Sequence, residues 1–109
     1  MGNSIRVIIK RPEDKVGKPM HIRPNLKRLQ QIVGGYIEHV PLGNGVALIC
    51  NEEGKIKGLE HNFNITDGFG NLLDTVVGTV IVAGVDGEEL ADVPINLHEW
   101  KQYLWKWGN

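Results

Sequence analysis

Apolar residues recur with two different periods along this chain. Over residues 4–10, Ile5, Val7 and Ile9 alternate with Arg6, Ile8 and Lys10, the two-residue period of a strand with one face buried. A polar stretch follows in which Pro12, having no backbone N–H, ends the pairing. Residues 18–23 predict a short second strand in a hairpin with the first, confined by Pro19 and Pro24. The period then changes. Leu26, Leu29, Ile32 and Val33 fall on one face of a helix over residues 26–33. Asn25 is placed to accept a free backbone N–H at its start, and Gly34 to take the left-handed position at its end. Two strands, at residues 36–40 and 46–50, flank Pro41, Leu42, Gly43, Asn44 and Gly45, a good hairpin loop because Asn and Gly tolerate positive φ.

Residues 51–55 read as another turn, with Gly54 at its positive-φ position. Residues 56–73 are the least regular part. Two readings stand for them: a mobile or functional loop, or an ordered cover pinned to the core by Leu59, Phe63, Ile65, Phe69, Leu72 and Leu73. Residues 75–85 are rich in β-branched side chains and apolar on both parities, which predicts one central strand covered on both sides. Asp86 and Gly87 signal a turn, and residues 88–93 return as an edge strand or stay as a loop. The last element is a helix over residues 97–107. Asn96 and Glu99 form a capping box at its start, and Leu97, Trp100, Leu104 and Trp107 share one stripe, with Tyr103 beside them. Trp105 falls well off that stripe. The fold class read from these patterns is α+β: a twisted, mostly antiparallel sheet of about five strands with two helices packed on it, in a single domain spanning residues 1–109.

Composition narrows the function classes. Basic and acidic residues number 12 and 13, for a net charge of −1, which lacks the basic footprint of a nucleic-acid binder. No apolar run is long enough to span a membrane and no secretory segment opens the chain, so a cytoplasmic protein is expected. A lone cysteine, Cys50, excludes an internal disulfide and fits a reducing compartment.

Several blocks carry a resemblance. Leu29-Gln30, then Val33-Gly34-Gly35-Tyr36-Ile37-Glu38, then Asn51-Glu52-Glu53-Gly54-Lys55, Gly58-Leu59, Asn62 and Val77-Gly78-Thr79 occur in an order that resembles a family of small bacterial domains of unknown function. Members of that family occur in Firmicutes, commonly on phage, plasmid or other mobile-element DNA. The resemblance covers residues 26–85. It departs in the loop after Gly58-Leu59, which lacks the family's prolines, and in the tryptophan-rich end. It implies a small single domain and a mobile-element setting, with no activity attached.

No reactive cluster emerges from the residues themselves. His21, His39, His61 and His98 show no paired spacing and Cys50 has no partner cysteine, so neither a metal site nor a cofactor is expected. Asp67, Asn71 and Asp74 with Gly68 and Gly70 miss the spacing of a calcium loop, and turn chemistry explains them. Adjacent Glu52 and Glu53 point apart in a turn, and Cys50 after Ile49 reads as a small core residue. Two features rise above this background. Trp105, off the buried stripe, is a candidate interface residue. Glu53, His61, Asn62, Asn64 and Asp67, beside Phe63 and Phe69, are candidates for a small-ligand site. The first reading is therefore a non-catalytic interaction module whose partner is a second copy of the chain or a host protein. The second is a small-molecule binder, sequestering a nucleotide-like ligand with residues 51–74. A hydrolase assembled from distant residues comes last.

Overall fold

A computed structural model describes residues 3–109. The elements in chain order are β1 (Ile5–Lys10), β2 (Lys18–Ile22), α1 (Leu26–Val33), β3 (Ile37–Gly43), β4 (Val46–Asn51), β5 (His61–Thr66), β6 (Leu72–Val77), β7 (Val80–Asp86), β8 (Glu89–Ala91) and α2 (Leu97–Lys106). Six strands form one antiparallel sheet in the order β2-β1-β7-β4-β3, with β8 on β7 as well. β1 pairs with Val80–Val82 of β7, and β8 takes up the same edge at Gly84–Asp86. β5 and β6 form a separate hairpin. The α+β class and the two helices follow the sequence pattern.

The sheet is covered on both faces. Strand alternation sends Val80 and Val82 of β7 to one face, with Ile8, Val46, Leu48 and Cys50. Ile81 and Ala83 go to the other face, with Val7 and Ile49. α1 closes the second face through Leu29 and Val33. The first face is closed by α2 and the β5–β6 hairpin, whose Phe63, Ile65 and Val76 join Trp100, Leu104 and Trp107 in one buried cluster. Both helix starts are capped as the sequence predicts. Arg28 N donates to Asn25 Oδ1 at 2.8 Å. Glu99 N donates to Asn96 Oδ1 at 2.8 Å while Asn96 N donates to Glu99 Oε1 at 2.9 Å. Gly34 has φ 82°, the left-handed end expected of α1.

Three sequence expectations need correction. Residues 56–73 are no irregular loop: they contain all of β5 and the opening of β6. The ordered-cover reading is the one the structure follows for Phe63 and Ile65, whereas Phe69, Leu72 and Leu73 project outward. Residues 75–85 form two strands instead of one. Gly78, at φ 73°, breaks them: that left-handed backbone favours glycine, and a Cβ there would also stand 2.8 Å from Leu59 Cδ1. β-branched residues run on both sides of that break, and periodicity cannot see it. The positive φ of the turn after β4 belongs to Gly58, not Gly54. Gly54 is favoured by closeness instead: a Cβ there would stand 2.8 Å from Val77 Cγ2 and 3.3 Å from Asn51 O.

α2 holds the hairpin through aromatic rings. Phe63 meets Trp100 edge-on at 5.5 Å between centroids and stacks on Trp107 at 5.9 Å. Trp100 Nε1 donates to Val16 O at 2.9 Å, which ties the residues before β2 to the same cluster. Truncation here leaves a cavity that the rigid sheet cannot collapse into. Trp100→Ala should therefore cost about 3–5 kcal/mol in urea denaturation, while Trp105→Ala should stay within about 0.5 kcal/mol.

Candidate functional site

Among the described residues only Lys10, Asn51 and Asn62 are buried polar or charged residues. Asn51 has a structural explanation. Its Nδ2 donates to Val33 O at 3.2 Å and its Oδ1 accepts from Glu53 N at 2.8 Å, joining the end of α1 to the turn after β4. Lys10 and Asn62 bond to each other across 52 residues of sequence, Lys10 Nζ donating to Asn62 Oδ1 at 2.6 Å. The orientation of the Asn62 amide is set by two carbonyls: Nδ2 donates to Lys10 O at 2.9 Å and to Gly78 O at 2.7 Å. An amide nitrogen has two protons, and both are used, so Oδ1 must face the ammonium.

Lys10 is the last residue of β1 and shares the parity of Ile8, which places its stem on the α2 face of the sheet. The residue is 4% exposed, and Nζ lies 5.7 Å from the Phe63 ring centroid. Among the described residues no carboxylate oxygen lies within 4.0 Å of it; the nearby Asp14 is engaged by Arg11, whose Nη2 stands 3.2 Å from Asp14 Oδ1. Burial pushes the Lys10 ammonium below its ordinary value of 10.5, against the opposing charges of Asp14 and Glu13. One amide oxygen therefore satisfies one of its three N–H donors.

Two depressions flank α2. The first is a cleft of about 440 Å³ over Lys10, Asn62 and Phe63, walled by Lys101, Leu104 and Trp105. Asp14 and Lys15 border it from the β1–β2 connection. The second is a groove of about 770 Å³ on the opposite flank, lined by Leu42, Ile65, Leu73, Ile95, Tyr103 and Trp107. A wider and more open depression of about 1080 Å³ lies over the α1 face; its lining includes none of the three buried polar residues.

The sequence-predicted residues scatter across these features. Trp105 is 60% exposed, as its position off the stripe implies, with Lys101 Nζ 4.6 Å from its ring centroid. Asn62 and Trp105, singled out for unrelated reasons, border the same cleft. His61 Nε2 lies 3.0 Å from Asn64 Oδ1, which also accepts from Thr75 Oγ1 at 3.1 Å. The Asn64 backbone is clamped by the Asn109 side chain, at 2.9 and 2.8 Å. Asp67 shapes the hairpin tip: its Oδ2 accepts from Asn71 Nδ2 at 3.0 Å and its Oδ1 from Asn71 N and Phe69 N at 2.9 and 2.8 Å, and these bonds, the Asn71 side chain's first, hold its carboxyl below the usual carboxylate range. Glu53 sits in the turn after β4, 3.4 Å from Lys57 Nζ. Sequence reasoning passed over Lys10, Lys15 and Lys101. The available signal was a charged residue on the same parity as Ile8 at the end of an apolar strand.

Nucleophilic chemistry finds little support at Cys50. Burial and the charges of Glu38 and Asp74 push its thiol up to about 11, so the thiolate is scarce at neutral pH. No group of three or more His, Cys, Asp and Glu residues capable of holding a metal ion occurs among the described residues, and no described helix is long and apolar enough to cross a membrane.

Two measurements check this geometry. Because Lys10 releases its proton at lower pH folded than unfolded, the penalty of a buried ammonium is fully present below the folded pKa. It is lifted as pH rises from there to 10.5. Wild type should gain stability relative to Lys10→Met across that window, in urea denaturation at stepped pH; a difference independent of pH would show that Nζ is not desolvated. Cys50 should react slowly with a disulfide reagent at pH 8 in the native protein and at once after unfolding.

No curated protein and no solved structure matches the chain. A family model covers residues 5–105, nearly the whole sequence, so the chain belongs to the family described as Domain of unknown function (DUF3846).

Proposed function

We propose that this domain is a non-catalytic interaction module that pairs with a second copy of itself, encoded on phage or other mobile DNA. The mobile-element setting rests on the resemblance of the sequence blocks alone. The observation that carries self-association is the outward display of apolar side chains on the β5–β6 hairpin. Phe69 is 92% exposed at its tip, and Leu72 and Leu73 follow it. Isolated exposed apolar residues are ordinary, but three on one short hairpin beside an apolar groove make a contact surface.

Pairing through the outer strands β2 and β3 of the six-stranded sheet is disfavoured. They carry Pro19 and Pro41, and each proline removes an edge donor. Side-chain packing remains, with the hairpin tip of one copy entering the groove beside α2 of the other. A net charge of −1 leaves little repulsion between copies. The nucleotide-sequestering alternative keeps Asn62 of its predicted residues and moves with it to the Lys10 cleft.

Size-exclusion chromatography with light scattering tests the pairing. Wild type should run as a dimer, and Phe69→Ser should weaken it by roughly 2 kcal/mol while leaving the fold intact. Trp105→Ala separates an α2 contact from a hairpin contact. A monomeric wild type would end the proposal.

A further inference from the structure

Lys10 stands out as a group whose surroundings are incomplete. An ammonium withdrawn from water is costly unless it is paired, and here its one described hydrogen-bond acceptor is the neutral Asn62 oxygen at 2.6 Å. That oxygen is held in place by the two carbonyls that fix the Asn62 amide. Two N–H donors of Nζ are left for something else, and the residue floors an open cleft. Lys15 and Lys101 border the same cleft, against a single side-chain carboxylate, Asp14, already engaged by Arg11. The electrostatic demand is for a compact, multiply charged anion. A phosphate monoester carries about −1.5 to −2 charges near pH 7 and three acceptor oxygens, more than a carboxylate offers to several ammonium groups.

The other wall is aromatic. The Trp105 indole is 60% exposed at the border of the cleft, with Lys101 Nζ 4.6 Å from its ring centroid, and an exposed indole is a surface on which a planar ring can stack. Phe63 beneath is already engaged with Trp100 and Trp107 and serves as an apolar floor. At about 440 Å³ the cleft falls in the range of small-molecule sites.

We propose that this cleft binds a small phosphate monoester bearing a planar ring, its phosphate on the Lys10 ammonium flanked by Lys15 and Lys101 and its ring on the exposed indole of Trp105. Lys10 is the anchor, and Asn62 is a positioning residue that orients it. This site is separate from the hairpin surface and does not depend on self-association.

Calorimetric titration of the whole chain with adenosine 5′-monophosphate, adenosine and inorganic phosphate tests it. The monophosphate should bind more tightly than either fragment. Lys10→Met should weaken it about tenfold or more, as loss of a charge-assisted hydrogen bond does. Trp105→Ala should reduce it to the affinity of inorganic phosphate, and Phe69→Ser should leave it unchanged. Absence of binding at millimolar monophosphate, equal affinity for phosphate and monophosphate, or full affinity in Lys10→Met would each overturn the assignment. Should Lys10→Met not fold, reductive methylation of wild type followed by peptide mass analysis decides. The monophosphate should slow labelling of Lys10 and leave Lys27 unaffected, and an unchanged rate at Lys10 refutes the site.

Discussion

Phe63 packs the β5–β6 hairpin onto the C-terminal helix and the sheet together. It sits on β5, in a hairpin that shares no ladder with the six-stranded sheet, and its ring lies stacked on Trp107 and edge-on to Trp100 of the C-terminal segment. A two-stranded hairpin is marginal alone in water. Its order here comes from burying Phe63, Ile65 and Val76 against α2 and the sheet. Each aromatic pair adds about 0.5–1.5 kcal/mol beyond the area it buries. The Asn109 side chain adds a polar clamp on the neighbouring Asn64 backbone. Both depressions beside α2 exist because this hairpin and this helix lean on one another.

The buried Lys10–Asn62 pair lies one residue away from that aromatic cluster, and the two neighbours do opposite things. Phe63 contributes burial; Lys10 costs it, because desolvation disfavours its charged form. Asn62 offsets part of the cost by offering an oxygen, and its own amide protons satisfy the carbonyls of Lys10 and Gly78. The arrangement links the end of β1 to the turn between β6 and β7. A methionine or leucine would pack that space without an electrostatic penalty. An ammonium there, with a cleft above it, is the observation on which the proposed phosphate site rests.

The two surfaces proposed for recognition differ in physics. The hairpin tip offers apolar area without direction, suited to packing against another protein surface. The Lys10 cleft offers a fixed charge, a fixed amide and an indole face, suited to one small anion. Neither needs a reactive group, and the one cysteine has its thiol pushed up by burial.

Much of the architecture was written locally. Asn25 and Gly34 bound α1, Asn96 and Glu99 open α2, and the alternation in β1 assigns its side chains to sheet faces, since each depends on neighbours within a turn or two of the chain. Local pattern also put Trp105 outside, and it put Asn62 among the candidates without showing why. What it could not carry was anything set by distant partners. The split at Gly78 goes with a left-handed backbone packed against Leu59, the order of residues 61–66 comes from α2, and the scattering of Glu53, His61 and Asp67 from three different turns and strands. Lys10 shows the division most sharply. Its sequence neighbours describe only a strand end, and its burial, its bond to Asn62 and the cleft it shares with Trp105 arise when residues 52 and more positions away fold over it. Periodicity reports which face a side chain takes; only the packed chain decides what covers that face.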